Sequence, residues 1–148
     1  GRIIGSKYGS QLIQEQVFPK IEEVGRFVEE TYIDGLAVSF GVKHEYKEGI
    51  DNSVLNFDLL RQYKEAANIP LVMHGADTIP VHNIRKAIDN GVKKVNYGPV
   101  LKDAFLKALA SRFQEIFIEA EMREILSLPR LAVQKIVEEK IEDCSGKK

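Results

Sequence analysis

The chain has 148 residues and a mass of 16.7 kDa, the usual size of one domain, which excludes long repeat arrays and argues against two independent cores. Hydrophobic residues make up 44% and charged residues 29%, as in a soluble globular chain and unlike a disordered or membrane-spanning one. Its 21 basic and 22 acidic residues give a net charge of −1, so no overall positive field is available to hold nucleic acid.

The first residues and the cysteine content indicate the compartment. The segment GRIIGSKYGS lacks the charged-then-apolar order of a secretory signal, and no run approaches the ~20 apolar residues of a membrane span. Cys144 is the sole cysteine, so an internal disulfide is excluded. We therefore expect a cytoplasmic protein that binds neither membrane nor nucleic acid.

The first half of the chain predicts two helices separated by a strand. Apolar residues at three- and four-residue steps predict a helix over 20–32. The apolar, β-branched run that follows predicts a strand over 36–41, buried on both faces of a parallel sheet. After a polar loop, Asn56 is a good N-cap for a second helix over 56–67.

The next segment predicts a strand, a helix and another strand. IPLVMH, residues 69–74, predicts a second buried strand. Pro80 suits the first turn of a third helix, which Gly91 closes because glycine adopts the left-handed C-cap conformation most easily. VKKVNYG, residues 92–98, predicts the third strand.

From residue 100 onward the sequence predicts helix. Apolar stripes over 100–143 indicate two helices, with Pro129 dividing them. We interpret residues 1–148 as a single domain in which 100–148 form a C-terminal helical segment.

Strands that alternate with helices at this spacing indicate βαβ units, and hence an α/β fold with a parallel sheet. Three such strands leave an unpaired edge on each side. They would also expose an apolar patch that includes Leu36, Val38, Phe40, Leu71 or their neighbours. A complete (β/α)₈ barrel needs ~250 residues, so we expect part of a larger sheet or barrel that self-associates, pairs with a separate first half or covers itself with its last helices.

Three candidate site residues follow the predicted strands, where the loops of a parallel sheet converge. They are His44, His74 and Asn96. Two neutral imidazoles can bind zinc, but a catalytic zinc usually needs a third protein ligand. A histidine at a strand end is more often a solvated loop residue than a metal ligand, and this alternative stays open for both histidines. His82, in the first turn of the third helix, is a weaker candidate.

The loop after the second strand is a candidate phosphate site. Its small residues, Gly75 and Ala76, allow backbone N–H groups to face an anion. Asp77 would repel that anion unless its carboxylate turns away.

Two segments together resemble a known family. DGLAVSFGVKHEY, residues 34–46, and IPLVMHGADTIPVHNIRKAIDNGVKKVN, residues 69–96, are similar to the C-terminal portion of class II, zinc-dependent ketose-bisphosphate aldolases of the fructose and tagatose branch. The resemblance rests on the order and spacing of these segments and on the motifs LVMHG and KVN, and it covers nearly the whole chain. It implies the last three βα units of a (β/α)₈ TIM barrel, followed by the C-terminal helices.

The resemblance also assigns roles to residues. His44 and His74 resemble two of three zinc ligands, and Asn96 resembles the asparagine that contacts the bound enediolate. The residues that resemble the phosphate-binding turn are Gly75, Ala76 and Asp77. The third zinc histidine and the catalytic aspartate lie in the first half of such barrels, so no catalytic residue is assigned here and the missing N-terminal half is an expected partner.

The implied activity is reversible, zinc-dependent cleavage of a ketose 1,6-bisphosphate to dihydroxyacetone phosphate and glyceraldehyde 3-phosphate, by a protein that forms homo-oligomers or contains that N-terminal half. The alternative is a catalytically degenerate subunit or fragment with a structural or regulatory role. Glu45, Asp77 and Pro99 favour it, because each adds negative charge or removes a phosphate donor relative to the family. A flavodoxin-like binder has little support, since no glycine-rich phosphate fingerprint follows the first strand.

Overall fold

The computed structural model describes residues 18–42, 54–113 and 121–146. They belong to two compact units, one ending at Asn96 and one beginning at Tyr97. The first unit contains α1 (Ile21–Thr31), β1 (Leu36–Ala37), α2 (Phe57–Ala67), β2 (Leu71–Met73), a 3₁₀ turn (Ala76–Thr78), α3 (Val81–Asp89) and β3 (Val92–Val95). The second contains α4 (Pro99–Phe113) and α5 (Met122–Ser145).

The three strands form one parallel sheet in the order β1-β2-β3. Leu36 of β1 lies opposite Leu71 of β2, and Leu71 lies opposite Val92 of β3 on its other side. Each strand is joined to the next through a helix, so the predicted α/β class with parallel strands is confirmed.

The first strand is shorter than the sequence predicted. Its ladder ends at Ala37, and the carbonyl of Phe40 instead accepts a 2.7 Å hydrogen bond from the backbone N–H of Asn56. Gly41 has φ +118°, and a β-carbon at that position would collide with the carbonyl oxygen of Val54. The predicted strand over 36–41 therefore ends at Ala37, and the returning chain at Asn56 bonds the carbonyl of Phe40 beyond it.

The core of the first unit lies between its helices and one face of the sheet. Tyr63 of α2 is the largest of the fully buried side chains, and its hydroxyl donates a 2.6 Å hydrogen bond to the carbonyl of Pro19. The other buried hydrophobic residues of this core include Val24, Phe40, Val42, Leu60, Leu71, Met73, Ile84 and Val92. The predicted exposure of Phe40 and Leu71 is wrong, because both side chains point into this core.

The predicted helix ends are mostly confirmed. The Asn56 side chain accepts a 2.9 Å hydrogen bond from the backbone N–H of Leu59, which caps α2. Pro80 precedes α3 as its N-cap, one residue earlier than predicted. Gly91 follows α3 with φ +118°, a conformation that side chains rarely adopt.

The second unit corrects one prediction. Pro129 does not divide two helices: it lies inside α5, which continues from Met122 to Ser145. Proline lacks the N–H that would bond the carbonyl of Ile125, which ordinarily costs about 3 kcal/mol in a helix interior. Its ring is fully buried, and this apolar burial offsets part of the cost.

Among the described helices, none combines the length and the apolar composition that a membrane span requires.

Candidate functional site

A β-bulge between β2 and β3 decides which residues of β3 share a face with β2. Leu71 lies opposite Val92, but the next pair along the ladder is Val72 with Lys94. Lys93 is therefore the extra residue of the bulge. Side chains alternate between the two faces of a strand, so the bulge puts Lys94 on the face that carries Val72.

The same alternation continues to the carboxyl ends of the two strands. Leu71 and Met73 are fully buried on the helix-covered face, whereas Val72 is half-buried and His74 is exposed. The backbone N–H of Asn96 donates a 2.9 Å hydrogen bond to the carbonyl of Met73, which extends the pairing by one residue. His74 and Asn96 consequently lie side by side, at the strand ends and away from the core.

The side chains at this position form a hydrogen-bonded row of three. The Nδ2 atom of Asn96 lies 3.1 Å from Nδ1 and 3.2 Å from Nε2 of His74. The ammonium of Lys94 donates to the Oδ1 atom of the same amide. Because Nδ2 is a donor, it bonds whichever of the two ring nitrogens carries no proton. We call Lys94, Asn96 and His74 the strand-end row.

The predicted phosphate loop begins immediately after His74. Gly75 has φ +72°, which turns the chain sharply away from β2. Ala76 is buried, Asp77 and Thr78 are half-buried, and the N–H of Ile79 donates to the Ala76 carbonyl at 3.2 Å. The loop is thus a single 3₁₀ turn directly beside His74 in the chain, with Asp77 in its centre.

The other candidates lie elsewhere. His44 and Glu45 fall within residues 43–53, outside the described residues, so the approach of His44 to His74 stays a prediction. His82 is an exposed residue in the first turn of α3. Pro99 is the exposed first residue of α4, in the second compact unit.

The strand-end row fits one part of a zinc site. Zinc takes an unprotonated imidazole nitrogen as a ligand, so the exposed His74 ring can hold zinc when that nitrogen is not accepting from Asn96. Within the described ranges, no three histidine, cysteine, aspartate or glutamate side chains lie together as a metal cluster. Among the described residues, His74 is the candidate zinc ligand that lies at the strand ends.

Sequence reasoning did not find Lys94. A strand places residues two apart on one face, so the spacing of Lys94 and Asn96 offered a signal. Lys93 and Lys94 are indistinguishable by type, however, and the bulge that selects Lys94 for the His74 face has no clear sequence signature.

Comparison with known proteins identifies the family and the fold. The family model for class II fructose-bisphosphate aldolase matches residues 1–148. The YdjI aldolase from Escherichia coli K12 is 28% identical, with a TM-score of 0.68 over 84% of this chain and 44% of that structure's chain. A putative fructose-1,6-bisphosphate aldolase from Coccidioides immitis is also 28% identical, with a TM-score of 0.74 over 88% and 44%.

A third solved structure shows the fold alone. The fructose-bisphosphate aldolase of Campylobacter jejuni is 19% identical, with a TM-score of 0.66 over 86% of this chain and 45% of its own. The chain thus spans less than half the length of these TIM-barrel aldolases, as expected for a C-terminal portion of such a barrel. With the family model matching from end to end, the chain belongs to the class II fructose-bisphosphate aldolase family.

Proposed function

We propose that this chain supplies the C-terminal part of the active site of a zinc-dependent aldolase. The reaction is reversible cleavage of a ketose 1,6-bisphosphate to dihydroxyacetone phosphate and glyceraldehyde 3-phosphate. The observation that carries the proposal is the contact of Asn96 with His74, at 3.1–3.2 Å, at the carboxyl ends of adjacent parallel strands. Ligands of α/β barrels bind at that end of the strands.

In this proposal His74 and His44 are two of the residues that hold zinc. When bound, zinc supplies a Lewis acid that polarises the ketone carbonyl of the substrate. The Nδ2 group of Asn96, beside His74, donates a hydrogen bond to the substrate oxygen on which negative charge develops. A fixed donor at that position stabilises the transition state more than the neutral substrate.

The loop Gly75–Asp77 is proposed to face one phosphate group of the substrate. Its turn follows His74 directly in the chain, so a phosphate bound there would lie beside that residue. Asp77 opposes such binding, because two like charges about 4 Å apart repel by about 4 kcal/mol at an effective dielectric constant of 20. We therefore expect weaker phosphate binding than in family members without this carboxylate.

The rest of the active site is proposed to come from residues beyond those of this chain. The third zinc ligand and the catalytic aspartate belong to the first half of the barrel in this family. The complete protein is proposed to be a cytoplasmic enzyme that forms homo-oligomers, and the chain depends on the first half of the barrel for activity.

Substitution of His74 tests the proposal. In the longest natural form of the protein, His74→Ala should lower the zinc content and abolish cleavage of fructose or tagatose 1,6-bisphosphate. His82→Ala is the matched control, since His82 is an exposed histidine of the same unit, in α3. Zinc is measured by elemental analysis, and cleavage by a coupled triose-phosphate assay. Unchanged zinc content and cleavage in His74→Ala would refute the proposal.

A second candidate is a family subunit that has lost catalysis. Two observations favour it: Asp77 occupies the centre of the loop, and Pro99 begins α4 without an N–H to donate. This candidate predicts that the natural protein assembles but binds no zinc and cleaves neither bisphosphate. The assay of the unmodified protein therefore separates the two functions.

A further inference from the structure

We infer that Lys94 is a positioning residue that fixes the side-chain amide of Asn96 with its nitrogen toward His74. The inference deepens the proposed function, on which its kinetic consequence rests. The orientation of the amide itself depends only on the contacts within the strand-end row.

The placement of Lys94 follows from the bulge. Lys93 and Lys94 are both exposed, and Lys94 is the one paired with Val72, on the face of His74 and Asn96. Asn96 follows two residues later, immediately beyond β3, within reach of the lysine ammonium. A regular ladder would have put Lys93 opposite Val72 and turned Lys94 toward the other face.

The chemistry of the ammonium determines which way the amide faces. An ammonium carries three donors and no acceptor, so Lys94 can bond only the Oδ1 atom of Asn96. The amide is planar, so fixing Oδ1 toward Lys94 leaves Nδ2 on the other side, next to both ring nitrogens of His74. Without that ammonium, a half-turn of the amide would present Oδ1 to a protonated ring nitrogen about equally well.

The orientation matters because the two ends of the amide have opposite polarity. Nδ2 stabilises a substrate oxygen that becomes negative, whereas Oδ1 in its place would repel that oxygen. The positive charge of Lys94 also polarises the amide and strengthens its N–H donors. Lys94 thus acts through Asn96 on a substrate that develops an oxyanion and need not touch the substrate itself.

The first test uses the protein without substrate. Nuclear magnetic resonance of ¹⁵N-labelled protein reports the side-chain amide of Asn96 and the ring nitrogens of His74. Lys94→Met keeps the aliphatic stem and removes the donor, and it should shift or broaden both sets of signals. Lys94→Arg should restore them in large part, and Lys93→Met, at the neighbouring exposed lysine, should leave them unchanged. Unaltered Asn96 and His74 signals in Lys94→Met would overturn the inference.

The second test uses the cleavage reaction of the longest natural form. Lys94→Met should lower kcat by about 10- to 100-fold, the usual effect of removing a group that orients another at a metal site, with little change in KM. If Lys94 acts through Asn96, the same substitution should cost nothing further in an Asn96→Ala background. An undiminished loss in that background would show that Lys94 acts independently and would overturn the inference.

The two tests separate this inference from the proposed function. If the natural protein cleaves no bisphosphate, the proposed function is refuted, but the magnetic resonance test of Lys94 still applies. If the enzyme cleaves the bisphosphate but its Asn96 amide signals do not respond to Lys94→Met, the proposed function stands and the inference about Lys94 is refuted.

Discussion

Tyr63 is a fully buried residue whose hydroxyl has a defined hydrogen-bond partner. Its hydroxyl donates a 2.6 Å hydrogen bond to the carbonyl of Pro19. Burial, with a smaller contribution from the charge of Glu23, raises the pKa of Tyr63 from 10.0 to about 12. The tyrosine therefore stays protonated in the folded state over a pH range in which the unfolded chain already ionises.

Tyr63→Phe should lower the free energy of unfolding at pH 7 by about 1 kcal/mol, the usual contribution of one such hydrogen bond. The stability linked to the Tyr63 proton is complete below pH 10 and is lost as the pH rises toward about 12, because only the unfolded state releases the proton there. The variant lacks this loss. Urea unfolding of both proteins at pH 7 and pH 11 should therefore show a smaller difference at pH 11. An equal difference at both values would contradict the pKa shift.

Gly41 and Gly91 share φ +118° but have different surroundings. A β-carbon on Gly41 would meet the backbone of Val54, whereas one on Gly91 would lie 2.6 Å from Cδ of the flexible Lys64 side chain. Gly91→Ala should therefore cost about 1–3 kcal/mol for the backbone conformation alone, and Gly41→Ala should cost more. Thermal unfolding of the two variants measures the order, and a milder Gly41→Ala would contradict the close approach of Val54.

The sequence predicted some residues of the candidate site and missed one. The sequence named His74 and Asn96 as residues that follow adjacent strands, and the structure places their side chains 3.1–3.2 Å apart. The sequence did not identify Lys94, because a one-residue bulge moves every later residue of a strand to the opposite face of the sheet. Bulges depend on pairing between distant segments, which local patterns do not encode.

At the scale of elements, helices were more predictable than strands. α1, α2 and α3 lie within a residue or two of the predicted bounds, because caps and a 3.6-residue period are local signals. β1 has two residues where six were predicted, because its length depends on the chain that returns at Asn56. The boundary predicted at Pro129 was wrong for a related reason: the ring is fully buried, and burial depends on contacts that local sequence patterns do not show.

Asn56 offers a test of the capping argument. Asn56→Ala removes the acceptor for the N–H of Leu59, so the free energy of unfolding should fall by about 1 kcal/mol. Asn56→Ser, which keeps a side-chain oxygen at the cap, is the matched control and should lose much less. Chemical unfolding measures both. Equal losses would mean that the hydrogen bond of Asn56 to the backbone contributes nothing and that the residue matters through other contacts.

At the scale of the whole molecule, the sheet explains why an isolated chain is expected to associate. In the described part of the chain, β1 and β3 each pair with β2 alone, so each leaves one row of backbone groups without a strand partner. The two edges differ in charge. β3 carries the exposed Lys93 and Lys94, which discourage strand addition, whereas β1 consists of the uncharged pair Leu36 and Ala37.

We therefore predict that the 148-residue chain, prepared by itself, associates through β1. Ala37 is exposed, so Ala37→Lys adds a charge to that edge without burying it and should shift the chain toward monomer. Ala110→Lys, an equally exposed change on α4, is the control and should leave association unaltered. Sedimentation velocity over a range of concentrations gives the monomer fraction of each protein. A chain that stays monomeric at every concentration, or an equal response to both lysines, would contradict association at this edge.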